Sequence, residues 1–149
     1  MAQISDRVNR LAASATFAMM QKSNELSAQG VDVVNMSVGE PDFNTPDYVK
    51  KAAIEAVEQN YSKYSPVPGY MWLRKACSDK LKRENNLDYS PAEILVSTGA
   101  KQSLCNVIMA VVNPGDEVLL PSPCWVSYPE MVKLAGGVPV VIKAGIDQD

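Results

Sequence analysis

The stretch Ile94–Glu117, ILVSTGAKQSLCNVIMAVVNPGDE, decides how the rest of the chain is read. Ile94, Leu95 and Val96 make a short apolar run suited to a buried strand, Ser97, Thr98 and Gly99 punctuate it, and an apolar helical pattern runs from Ala100 to about Val112. Asn113, Pro114 and Gly115 then stop that helix. A helix opening on a glycine turn presents backbone N–H groups without intrahelical partners and roughly half a positive charge, and a residue without Cβ lets a ligand come close. Phosphate suits such a corner. An ordinary strand-to-helix turn uses the same glycine and hydroxyl residues, so this stretch alone leaves both readings open.

Downstream, the pattern predicts a strand over Glu117–Leu120, a loop Pro121-Ser122-Pro123-Cys124-Trp125, a helix from about Val126 to Ala135, a Gly136-Gly137 break and a strand over Val138–Lys143. With the Ile94 strand this is a βαβαβ unit, hence a parallel sheet covered by helices and an α/β fold. Trp125 falls at the C-terminal end of a strand, where open α/β sheets bind ligands; the alternative for it is a core tryptophan.

Upstream, Phe17, Met20, Leu26 and Ala28 among polar neighbours predict a helix over Ser14–Gln29, ended by Gly30 and followed by the extended run Val31–Met36. The loop Ser37–Phe43 contains Gly39 and Pro41, which fix its backbone too tightly for a flexible tether. Thr45 and Pro46 predict the cap and first residue of a helix ending at Gln59, and a second helix runs from Gly69 to Asn85 with its lysines, arginine and acids on a solvated face. Between them, Asn60–Pro68 is too rich in Tyr and Pro for a helix, and Ser90-Pro91-Ala92-Glu93 predicts a helical turn.

The 149 residues, 46% of them hydrophobic, suffice for one core, and the net charge of -3 with dispersed Lys and Arg argues against nucleic acid or an anionic membrane as partner. No apolar run approaches the ~20 residues of a membrane span and Met1–Arg10 lacks a signal-peptide core, so a cytoplasmic location is expected. Cys77, Cys105 and Cys124 are too widely spaced for a ligand pair and read as reduced thiols. The chain has no histidine, which excludes a Ser-His-Asp or Cys-His device built from its own residues and argues against a metal site.

Five segments in order resemble the class I aminotransferases that use pyridoxal phosphate (PLP), in particular their bacterial aspartate aminotransferase subgroup: Ser37-Val38-Gly39-Glu40-Pro41-Asp42; Lys63-Tyr64 with Gly69 and Leu73-Arg74; Gly99-Ala100-Lys101-Gln102; Pro114-Gly115-Asp116-Glu117-Val118; and Trp125-Val126-Ser127-Tyr128-Pro129. The resemblance implies a fold type I transferase. Residues 1–45 would be an N-terminal arm and substrate loop. Residues 46–149 would be the N-terminal part of the PLP-binding large domain, a three-layer αβα structure with a mostly parallel, incomplete sheet. It further implies that Gly99, Ala100 and Lys101 clamp the cofactor phosphate through backbone N–H groups, that Trp125 stacks on the pyridine ring, and that Gly39 contacts the substrate α-carboxylate. Tyr64 would reach across a homodimer interface, formed by the arm and its own loop, to the partner's phosphate. The substrates implied are an amino acid and a 2-oxo acid.

Tyr128, Pro129 and Glu130 read as helix-start packing. Cys124 departs from the family, which usually has an aromatic residue there. Met109 and Ala15 fall in regions where some relatives recognise the substrate's distal group, and neither side chain binds a carboxylate. In the family the Schiff-base lysine, the carboxylate-binding arginine and the rest of the catalytic apparatus come later than position 149. The chain is therefore expected to hold no catalytic residue, to end at Gly145–Asp149 as part of a longer enzyme, and to be inactive alone. Alternatives sharing the phosphate corner are a carbon–sulfur lyase or aminocyclopropane carboxylate synthase type of fold type I enzyme, or a non-catalytic phosphate-binding α/β domain.

Overall fold

The computed structural model describes residues 4–145; the four residues after Gly145 lie outside it. In chain order the helices are α1 (Asp6–Asn9), α2 (Ala15–Ala28), α3 (Asp47–Glu58), α4 (Met71–Asn85), α5 (Gly99–Val111) and α6 (Ser127–Ala135), the strands β1 (Glu117–Ser122) and β2 (Val138–Lys143). Two compact units are distinct: residues 41–98 form one, and the segments before and after them form the other.

In the larger unit, β1 and β2 pair in parallel, Glu117 against Val138 through Ser122 against Lys143, and α6 is the crossover between them. Among the described residues, Leu120, Met131 and Val132 are the buried apolar side chains, Val132 fully so. Two glycines allow the tight return from α6 to β2. Gly136 caps the helix at φ +90°, and a Cβ on Gly137 would stand 2.7 Å from Val112 Cγ1 and 3.1 Å from the Asp116 carbonyl oxygen. The start of β1 is pinned from both sides: Asn113 N–H donates to Asp116 Oδ2 at 2.7 Å, and Val138 N–H donates to the Asp116 carbonyl at 2.8 Å. The α2 helix begins where Ser14 Oγ accepts from Phe17 N–H at 3.5 Å and closes through Gly30, at φ +82°.

In the unit of residues 41–98, α3 starts one residue later than Thr45 and Pro46 predict: Pro46 has extended ψ of 143° and occupies the capping position. Asn60 and Asn86, both at positive φ, close α3 and α4. Glu93 accepts from Ser90 N–H at 2.9 Å and Ser90 Oγ at 2.8 Å, so Ser90–Glu93 is the expected turn, here 3-10 in form. Arg74 Nη1 donates to the Pro91 carbonyl at 3.0 Å and ties α4 to it.

One expectation fails. Ile94–Val96 is not a strand; its Val96 N–H donates to the Pro68 carbonyl at 3.1 Å, and the sheet among the described residues is β1–β2 alone. A strand exists only through its ladder, and an apolar run without a neighbouring strand has no partner for its N–H and C=O groups. Instead Val96 packs on Gly69, whose added Cβ would come within 2.9 Å of Val96 Cγ2. No helix among the described residues is long and apolar enough to cross a membrane.

Candidate functional site

The corner read from sequence opens α5. Gly99 has φ +80°, a conformation that favours glycine, and nothing lies within 4 Å of where its Cβ would be. The turn therefore shows bare backbone on an open side. Two residues on, the Lys101 side chain brings Nζ to 4.4 Å from the centre of the Trp125 ring, a cation–π contact. Trp125 meets Tyr128 edge to face, with centroids 5.6 Å apart and planes at 83°. Trp125 is 41% exposed, so it is not a core tryptophan.

Lys101 and Trp125 share a cavity of about 460 Å³. Thr16 and Phe17 of α2 supply one part of its lining, Val38 and Gly39 another, and Lys101 and Trp125 a third; Lys101 is the only charged side chain among the lining residues. Gly39 has no atom within 4 Å of its would-be Cβ, so internal packing gives no reason for a glycine there. Of the residues singled out from sequence, Gly39, Lys101 and Trp125 thus come together, with Gly99 and Ala100 immediately before Lys101 at the helix start. Tyr64 belongs to the unit of residues 41–98, where its side chain is fully exposed.

Met109 and Ala15 are absent from that lining, although Ala15 lies between Ser14 and Thr16, which are in it. Met109, eight residues beyond Lys101 on α5, lines a separate cavity with Arg7, Arg10 and Lys133, and Ala15 lines another beside Val126 and Pro129. Sequence reasoning missed Thr16 and Phe17, which only the folding of α2 brings to the cavity. It also gave Glu130 no role beyond packing, whereas Glu130 Oε2 accepts from Ala12 N–H at 2.8 Å and Oε1 from Lys133 Nζ at 2.8 Å. The Lys133 ammonium holds the Glu130 carboxyl below its ordinary range; partial burial opposes this and the Ala12 amide adds to it.

The components fit a flat phosphorylated cofactor: a helix N-terminus with an open glycine turn, a partly exposed indole, and a cavity within the size range of small-molecule sites. Fold and site define an α/β domain of the kind that binds such a group at the end of a parallel strand. The chain belongs to the class I and II aminotransferase family, whose description matches residues 31–149. It is 54% identical over 144 residues to a probable aspartate/prephenate aminotransferase of Rhizobium leguminosarum bv. phaseoli, covering 97% of this chain and 36% of that protein. To an aspartate aminotransferase of Bacillus sp. (strain YM-2) it is 49% identical over 146 residues, covering 98% of this chain and 37% of the other. Among solved structures, the Thermus thermophilus aspartate aminotransferase with maleate superposes with a TM-score of 0.93 at 47% identity, over 99% of this chain and 39% of that one. The chain thus spans a little over a third of the length of the proteins it matches. Membership of this family implies PLP as cofactor.

Proposed function

We propose that this chain is the cofactor-anchoring part of a PLP-dependent aminotransferase that moves an amino group from a dicarboxylic amino acid to a 2-oxo acid. The relatives named for aspartate and prephenate support the substrate class, as does a neighbour solved with maleate, itself a dicarboxylate. The observation that carries the reading is the meeting of Gly39, Lys101 and Trp125 around one cavity beside the opening of α5.

The roles follow from chemistry. Backbone N–H groups of Gly99, Ala100 and Lys101 hold the phosphate, where aligned peptide dipoles favour negative charge. The Trp125 indole orients the ring by stacking, worth about 1 kcal/mol for an aromatic pair. Gly39 lets the substrate α-carboxylate approach its backbone. The Lys101 ammonium, the one charge in the lining, receives the second carboxylate. Tyr64 reaches the phosphate from a second copy of the chain in a cytoplasmic homodimer. When bound, PLP supplies an electrophilic carbonyl and a ring that accepts the electrons released at the substrate Cα. The base that moves the Cα proton is a lysine outside these 149 residues.

The test is turnover by the intact protein. Aspartate consumption that depends on an added 2-oxo acid supports the reading; elimination products without a 2-oxo acid requirement assign a lyase instead. PLP affinity unchanged by Trp125→Ala, in a protein that still folds, removes the cofactor site.

A further inference from the structure

The Glu130–Ala12 hydrogen bond joins groups 118 residues apart, and both ends sit next to the cavity. Ala12 lies two residues before Ser14, the N-cap of α2, and Ser14, Thr16 and Phe17 contribute to the cavity lining. Glu130 lies on α6, which begins just after Trp125, and Trp125 and Ser127 line the same cavity. One carboxylate therefore ties together two parts of the wall.

Upstream, α1 also packs against α6; at Ala12 itself the tie is this bond. Between the segment Ala12–Ala15 and the start of α6 is a space of about 360 Å³, bordered on one side by alanines and a serine and on the other by Val126, Pro129 and Glu130. Alanine methyls offer few contacts, so packing sets the register of the segment only weakly. The Glu130 side chain, 23% exposed, is itself held by Lys133 through its other oxygen, which leaves Oε2 aimed at the Ala12 amide. A hydrogen bond to a charged acceptor is stronger and more directional than a neutral one.

We infer that Glu130 is a positioning residue. Its hold on Ala12 fixes the register of Ser14, Thr16 and Phe17 relative to Trp125, and so sets the width of the cavity in which the substrate is bound. Glu130 touches neither cofactor nor substrate. The inference rests on the reading of this cavity as the substrate's.

The test uses the intact protein with Glu130→Ala, Glu130→Gln and Lys133→Met, and reads amide hydrogen exchange over residues 11–17 together with kcat, KM and PLP affinity. Glu130→Ala is expected to speed exchange at Ala12 and raise the KM for the amino donor about tenfold, about 1.4 kcal/mol, with kcat changing less than about twofold. Glu130→Gln keeps a side-chain oxygen for the Ala12 N–H and recovers most of the KM. Lys133→Met keeps both partners of the Glu130–Ala12 bond and loses only the part-buried ion pair, so it raises KM less than Glu130→Ala does.

Accelerated exchange at Ala12 with unchanged KM overturns the inference, as does Glu130→Gln performing no better than Glu130→Ala. A joint fall of kcat and PLP affinity marks general damage and equally counts against it. If the wild-type protein transfers no amino group, the functional reading fails, and the exchange comparison alone then decides whether Glu130 holds Ala12–Phe17.

Discussion

Lys101→Met separates two tasks that meet at one residue. The substitution keeps the backbone N–H at the start of α5 and a side chain of similar length, and removes only the ammonium that stands 4.4 Å from the Trp125 ring centre. A carboxylate bound by a charged donor gains about 1.5–3 kcal/mol. To reach it the ammonium gives up its contact with the indole, which at an exposed site is worth about 0.5–1 kcal/mol. The net of about 0.5–2.5 kcal/mol corresponds to roughly twofold to seventyfold in kcat/KM. The assay compares kcat/KM for aspartate and for a neutral amino acid in wild type and Lys101→Met, with PLP affinity measured by absorbance titration. Aspartate should lose that factor, the neutral substrate should be unaffected or improved, and PLP affinity should stay within about twofold. The reasoning is refuted if PLP affinity collapses while the aspartate preference is unchanged, because Lys101 would then serve the phosphate through its charge rather than the substrate.

Other consequences are equally direct. Trp125→Ala removes the stacking surface and should weaken PLP binding by about tenfold, roughly 1 kcal/mol or slightly more, while Trp125→Phe recovers part of it in the same titration. Gly137→Ala should destabilise the intact protein by about 1–3 kcal/mol in a denaturant melt, since its Cβ meets Val112 and the Asp116 carbonyl closer than packing allows. Glu130 has a carboxyl pKa lowered by folding, so its contribution to stability is complete above the unfolded value of about 4.3 and is lost as pH falls through the lower folded value. Melting temperature should therefore fall less steeply below about pH 4.3 in Glu130→Gln than in wild type. Gly69→Ala should cost more than a typical surface change, because it combines a φ of +97° with a Cβ 2.9 Å from Val96 Cγ2.

The sequence by itself determined where most helices begin and end, and that the chain after Asn113 folds as strand, helix and parallel strand. Those features depend on local signals: Ser14 as a cap, Gly30 and Gly136 at positive φ, and apolar periodicity over a few turns. It also pointed, through motifs, to Gly39, Lys101 and Trp125. Only the tertiary structure decided that these three line one cavity, that Thr16 and Phe17 join them, and that Met109 does not. It likewise turned Ile94–Val96 from an expected strand into a segment packed on Gly69, and gave Glu130 a partner 118 residues away. The physical reason is the same in each case. A cap or a turn is settled by interactions among residues a few positions apart, whereas a ladder, a cavity wall or a long-range hydrogen bond needs a second group whose position is fixed only when the chain has folded.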